Sequence, residues 1–188
     1  MSQPRSPQPV KLVMSFLYAE EGALALALAE SSQRFGKIDF LSEPMPFDFT
    51  DYYQTEMGAG LKRRITAFET LISPDALVPV KRWTNALEFS HLNEHQGRSV
   101  NIDPGYMAAA KFILATGKDY SHRIYLGEGI YGDLTLIFRP GGYSSLPWTY
   151  PDYASESLRN LLNLLRKRYL WQLKKEGEKG EMGKGEKG

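Results

Sequence analysis

Up to residue 103 this chain reads as strand, helix, strand, strand, helix, strand, and that order constrains its fold more than any other feature. Val10 to Leu17 is apolar on both faces (Val10, Leu12, Val13, Met14, Phe16, Leu17), the pattern of a central strand. Glu20 and Glu21 then open an alanine- and leucine-rich helix to Phe35, with Gly36 as its stop. Lys37 to Leu41 begins a second strand, which Pro44 and Pro46 interrupt, leaving an irregular, aromatic-rich edge through Tyr53. Leu61 to Ile72 alternates, with Leu61, Ile65 and Ala67 set against Arg64, Thr66 and Phe68. Ser73-Pro74-Asp75 is a helix-start signal, and Pro79 predicts a short first turn followed by a main helix from about Pro79 to Asn93. Its apolar stripe is Val80, Trp83 and Leu87, while Lys81, Asn85 and Glu88 share another face. Arg98 to Asp103 is the next strand, which Pro104-Gly105 is expected to break.

Three further strands, Lys111 to Thr116, Arg123 to Leu126 and Leu134 to Phe138, read as an antiparallel meander. A proline- and aromatic-rich loop, Pro140 to Pro151, leads to a last helix ending near Lys174. The predicted class is α+β: a ferredoxin-like βαββαβ core whose mainly antiparallel sheet is extended by the meander and covered by the C-terminal helix. Residues 1–9 read as a disordered lead, 10–175 as a single domain, and 176–188 as a solvated tail of Gly, Glu, Lys and one Met. No segment approaches the ~18 apolar residues of a membrane span, and no export signal is visible, so the expected address is cytoplasmic.

Charge is unevenly spread. The net +1 combines a body (residues 1–157) of net −4, a stretch, 158–175, that holds six basic and no acidic side chains, and a tail from 176 of net −1. That basic helix either grips RNA phosphates or an anionic surface, or lays its leucines on the acidic body with its cations snorkelling outward. The second reading is favoured, because the sheet needs a cover. The chain has no cysteine, which excludes disulfides, thiolate metal sites and cysteine nucleophiles.

Two motifs invite specific chemistry. Gly127-Glu128-Gly129-Ile130-Tyr131-Gly132 fits G-x-G-x-x-G, but a strand and not a helix follows, so a hairpin turn is the better reading. Gly58-Ala59-Gly60-Leu61-Lys62 only superficially suggests a phosphate loop. His91-Leu92-Asn93-Glu94-His95 reads as H-x-x-E-H, which on a helix would place two histidines on one face with Glu94 as general base. Its place in a last helical turn before Gly97 favours histidines that complement the helix dipole, so no metal is assigned. No pattern specifies a cofactor.

A third constellation is chemically richer. Asn101 and Asp103 share a strand face, Lys111 opens the next strand, and His122, Arg123 and Tyr125 lie on the following one. If these strands are neighbours, carboxylate, amine, imidazole and guanidinium converge, a set suited to a phosphate or carboxylate ligand. In a regular strand, however, His122 and Arg123 would point to opposite faces. The plainer account is a half-exposed sheet with ion pairs such as Asp103 with Lys111.

The strings Asn101-Ile102-Asp103-Pro104-Gly105-Tyr106, His122-Arg123-Ile124-Tyr125-Leu126, Gly129-Ile130-Tyr131 and Leu146-Pro147-Trp148-Thr149-Tyr150-Pro151-Asp152-Tyr153 together resemble the prokaryotic domain-of-unknown-function 4416 family. The likeness spans most of Val10 to Leu173, and Lys81, Thr84-Asn85 and Glu88 also fit it. It implies no assigned activity, and marks Asn101, Asp103, Lys111, His122, Arg123 and Tyr125 as positions of the family pattern. Some members carry a GTP-binding label; no phosphate loop or guanine-reading motif accompanies it in this chain. The Pro147-to-Pro151 loop either shields a site or plugs a sheet edge. The expected function is binding of an anionic or phosphorylated small ligand, a class that includes nucleotides, with Lys111, Arg123 and His122 on the anion and Asp103 and Asn101 positioning them. The competing expectation is a non-enzymatic RNA- or protein-binding module built on the basic helix.

Overall fold

β1 (Val10–Tyr18) is apolar on both faces, and in the computed structural model it is buried along its whole length at the middle of the sheet. The structure describes residues 1, 3–50 and 52–185, with side chains through residue 178. After β1 come α1 (Glu21–Phe35), β2 (Ile38–Leu41), β3 (Met45–Pro46), α2 (Gln54–Met57), β4 (Lys62–Ile72), a 3-10 turn (Pro74–Ala76) and α3 (Leu77–Ser90). The second half holds β5 (Val100–Met107), β6 (Lys111–Thr116), β7 (Arg123–Gly127), β8 (Ile130–Arg139), β9 (Gly142–Ser145), α4 (Pro151–Ala154) and α5 (Glu156–Gly185).

One sheet runs in the order β2-β4-β1-β5-β6-β8-β7, with β3 added on β4 and β9 on β8. Its pairings among the described residues are antiparallel. Strand alternation sorts the core into two layers. Leu12, Met14 and Phe16 face α1 and α3, meeting Leu24, Val80 and Leu87. Val13, Ile65 and Met107 face α5, meeting Leu158, Leu162 and Tyr169. The chain thus has the expected mixed class: a mainly antiparallel open sheet covered by a C-terminal helix.

Several local expectations are corrected. α3 starts at Leu77, so Pro79 lies in the first turn, where a missing N–H leaves no helical acceptor unfilled. It ends at Ser90, and the chain folds back at once: Leu92 bridges Arg98, and Asn93 Oδ1 accepts the N–H groups of His95 (3.0 Å) and Gly97 (2.9 Å). The H-x-x-E-H stretch is therefore a turn, and its histidines share no helix face. His91 Nε2 instead lies 2.6 Å from Glu30 Oε1 on α1. Among the described residues no group of three or more metal-ligating side chains is assembled.

β5 is not broken at Pro104-Gly105. It runs through both to Met107, because β6 pairs only from Gly105 onward and asks for no N–H from the proline. The three later strands form no simple meander: β8 returns between β6 and β7, leaving β7 at the edge. The glycine-rich segment is the β7–β8 hairpin turn, with Gly127, Glu128 and Gly129 all at positive φ (125°, 52° and 76°). α5 continues past Lys174, with Lys174 and Lys175 reaching Glu178 at 3.9 and 3.6 Å. Of the tail expected from 176, residues 176–185 extend this helix and residues 186–188 lie outside the described residues.

One junction positions the site. β1 and β5 are joined over eight residue pairs, but β5 and β6 over three: Gly105–Leu114, Tyr106–Ile113 and Met107–Phe112. Beyond Gly105 the sheet parts, and the freed edge of β5 is satisfied by α3. Ile102 N–H donates to Glu88 Oε1 (2.8 Å), and Lys81 Nζ donates to the Ile102 carbonyl (2.9 Å). Gly105 is required at the fork, since a Cβ there would lie 2.4 Å from the Ile113 carbonyl oxygen.

Candidate functional site

A cavity of about 750 Å³ fills the parting between β5 and β6. Register explains what faces it. Arg63 on β4 and Asn101 on β5 both pair with Leu17 of β1, so they share one rung two strands apart, about 10 Å between backbones. Asp103 stands on the next rung of the same face, opposite Ser15. Lys81, Asn85 and Glu88 come round the open edge from α3 at helical spacing i, i+4 and i+7. Loops carrying Phe47, Tyr52, Tyr120 and Tyr150 close the remaining sides with aromatic rings.

The cations facing this cavity are mostly paired to carboxylates. Lys81 Nζ reaches Asp103 Oδ1 at 3.4 Å, and Asn101 Nδ2 donates to Asp103 Oδ2 at 2.8 Å. Arg98 is used on every nitrogen: Nε and Nη2 fork onto Glu56 at 2.7 Å each, while Nη1 meets Glu88 (2.9 Å) and Asn101 (2.7 Å). Arg123 is used just as fully, donating to Asp133 (2.9 Å), the Lys118 carbonyl (3.0 Å) and the Tyr150 hydroxyl (2.9 Å), and lying over the Tyr120 ring. Arg63 differs. Its guanidinium pairs with Asp152 through Nη1, lies against the rings of Phe47 (4.7 Å) and Tyr153 (5.2 Å), and keeps Nε buried with no hydrogen-bond partner among the described residues. Lys118, at the rim, has among the described residues the Tyr52 ring (5.0 Å) as its one side-chain contact.

These contacts set the acidities. Arg98's hydrogen bonds hold the Glu56 carboxyl below its usual range. Burial pushes Glu88 up, against the pull of Lys81 and Arg98. Burial also raises the Tyr53 phenol, and the Asp103 charge adds to it.

Of the residues singled out from sequence, Asn101, Asp103 and Arg123 line the cavity. Lys111 does not: it is exposed at the opposite end of β6, about 15 Å along the strand from Thr116. Asp103 therefore pairs with Lys81 and not with Lys111. His122 stacks between Tyr120 and Trp148 (6.2 and 5.2 Å between centroids) and approaches Asp133 Oδ2 at 3.3 Å. It precedes the first residue of β7, so strand alternation does not apply, and His122 and Arg123 meet on the same carboxylate oxygen. Tyr125 is exposed on β7, edge-on to Tyr131. Sequence reasoning missed Arg63, Lys118 and Asp133. For Arg63 a signal exists: it falls in step with the inward-facing Leu61, Ile65 and Ala67, a cation on an apolar face. For Lys81, Asn85 and Glu88 the polar stripe was legible, but not the open edge it serves.

No helix among the described residues is long and apolar enough to cross a membrane. No curated protein and no solved structure matches the chain. A family model described as Domain of unknown function (DUF4416) matches residues 8–169, most of the chain, with the cavity-lining strands and helices inside that span. The chain belongs to that family.

Proposed function

We propose that this cytoplasmic protein binds an anionic, phosphorylated small molecule in the cavity between β5 and β6, a class that includes nucleotides. We read the β2-β4-β1-β5 order as a ferredoxin-like core, and residues 10–175 as one domain around it. The observation that carries the functional reading is Arg63: a guanidinium stacked against two rings on the cavity wall, with Nε buried and unpartnered among the described residues. A buried donor left open beside a cavity of ligand size favours an incoming acceptor. Lys118 at the rim adds a cation that no carboxylate neutralises among the described residues.

The roles are redistributed relative to the sequence-based expectation. Arg123 and His122 converge on Asp133 and hold the walls, so the anion falls to Arg63 and Lys118, with Lys81 and Asp103 beside them. The RNA- or protein-binding reading of the basic helix is weakened by contacts within the chain. Arg159 bonds the Ala154 and Tyr143 carbonyls, Arg166 the Ala109 carbonyl, and Arg168 pairs with Asp39.

The test is a thermal-shift screen with inorganic phosphate, pyrophosphate, sugar phosphates and nucleotides, followed by titration calorimetry. Binding raises Tm in proportion to ln(1 + [L]/Kd), and Lys118→Glu weakens it at least about tenfold without changing the unliganded Tm. A flat response across the panel overturns the proposal.

A further inference from the structure

The cavity's own carboxylates point to the rest of the ligand. A pocket built for a bare anion would keep its cations free, yet Asp103, Asp133, Asp152 and Glu88 all face this one, each beside a cation. Three of the four are spent and shielded, their side chains at most 8 % exposed, whereas Asp103 is 35 % exposed. Each of its oxygens accepts one hydrogen bond, from Lys81 (a long 3.4 Å) and Asn101 (2.8 Å), leaving lone pairs open to the cavity.

Two neighbours complete a pattern. Lys81 Nζ is pinned by the Ile102 carbonyl and has one proton uncommitted after its contact with Asp103. Asn85, one helical turn along α3 from Lys81, lines the cavity, and among the described residues its side-chain amide makes no hydrogen bond. A carboxylate acceptor, an ammonium donor and a free amide side by side are what a pair of hydroxyls needs, because each hydroxyl must both donate and accept. A phosphate, which mainly accepts, can use the two donors but not the Asp103 carboxylate, whose open lone pairs call for a hydroxyl.

We infer that the ligand carries a vicinal diol, read by Asp103, Asn85 and Lys81, while its phosphate lies toward Arg63 and Lys118. The ligand class is a phosphorylated sugar, free or as part of a ribonucleotide. This rests on the proposed anion-binding reading, and the experiment separates the two.

Four probe pairs, each with and without one diol hydroxyl, are titrated calorimetrically beside inorganic phosphate. They are ribose 5-phosphate and 2-deoxyribose 5-phosphate, glucose 6-phosphate and its 2-deoxy analogue, and adenosine and guanosine 5′-monophosphates against their 2′-deoxy forms. The expected result is at least one pair in which the hydroxyl-bearing member binds about tenfold or more tightly. In that pair Asn85→Ala shrinks the ratio to about threefold or less, the hydroxyl-bearing member losing more affinity than the deoxy member. Among the described residues Asn85 has no hydrogen-bond partner to lose, and alanine suits a helix, so this variant keeps its fold; Asp103→Asn is the second variant and loses the same preference. The base-free and base-bearing pairs distinguish the two sources. Equal affinity within every pair that binds, or binding of inorganic phosphate alone, overturns the diol inference and leaves the anion site standing. Binding of no probe overturns both.

Discussion

Lys11→Met tests whether the α5 cover is locked by a buried charge. Lys11 sits on central β1 with no exposed surface, and its ammonium is fully used: Asp39 Oδ2 at 2.8 Å, the Phe68 carbonyl at 2.9 Å and Gln172 Oε1 of α5 at 2.7 Å. Methionine nearly matches its length and volume, so the change leaves little cavity and isolates the loss of charge. Removing one member of a buried pair costs about 3–5 kcal/mol, because the other is left uncompensated. Asp39 is 3 % exposed but retains Arg168 at 3.2 Å, which puts the expected cost at the lower end, about 3 kcal/mol. For a chain of this size that is a fall in Tm of roughly 6–12 °C. Adding Asp39→Leu removes the orphaned carboxylate, and the double variant recovers about 1–2 kcal/mol of the loss, with the Phe68 carbonyl and Gln172 left short of a donor. Urea denaturation of the four proteins of the cycle measures this directly. A single variant within 1 kcal/mol of the parent, or strictly additive losses in the double, would refute the reasoning.

Further outcomes follow from the site and its frame. Gly105→Ala drives a Cβ to within 2.4 Å of the Ile113 carbonyl oxygen, so it lowers stability by about 2 kcal/mol or more, read from chemical denaturation. Arg123→Ala frees Asp133, the Lys118 carbonyl and Tyr150 together; hydrogen exchange in residues 117–122 and 147–151 rises while that of β1 is unchanged. Glu56 is held below its usual acidity by Arg98, so its stabilisation is full above the ordinary glutamate value of 4.5 and is lost as pH falls through the lower folded value. Glu88, raised by burial, acts in the opposite sense, taking up its proton in the folded state first as pH falls. Stability measured from pH 6 to pH 3 therefore falls less steeply in Glu56→Gln than in the parent.

How much could be read beforehand depends on the range of the forces involved. The two-faced apolarity of β1, the helix stop at Gly36 and the hairpin at Gly127–Gly129 are encoded within a few residues, and each is found where periodicity or turn chemistry put it. Pro104 misled because a proline breaks a strand only where its N–H is wanted, and that depends on where β6 begins to pair. The order β6-β8-β7 likewise depends on which strand returns to which edge, which no local signal fixes. For the site, Asn101, Asp103 and Arg123 were legible as polar residues on strands. Lys111 opens β6 as expected, but that end of the strand lies away from the cavity, and Arg63 is hard to place because its companions on the cavity come from α3, β5, β6, β7, β8 and α4.

The three-pair junction between β5 and β6 has a mechanical consequence. It divides the molecule into two leaves, β2-β4-β1-β5 and β6-β8-β7, stitched by few backbone bonds and splinted underneath by α5, whose Leu158, Leu162 and Leu165 join a core fed from both. An occupant of the cavity would touch Asp103 on one leaf and Lys118 beside the other, and so act as a peg across a book's open spine. Opening and closing of the leaves, read as exchange of the Tyr106 and Ile113 amides at the seam, then becomes a gauge of occupancy without any label on the ligand.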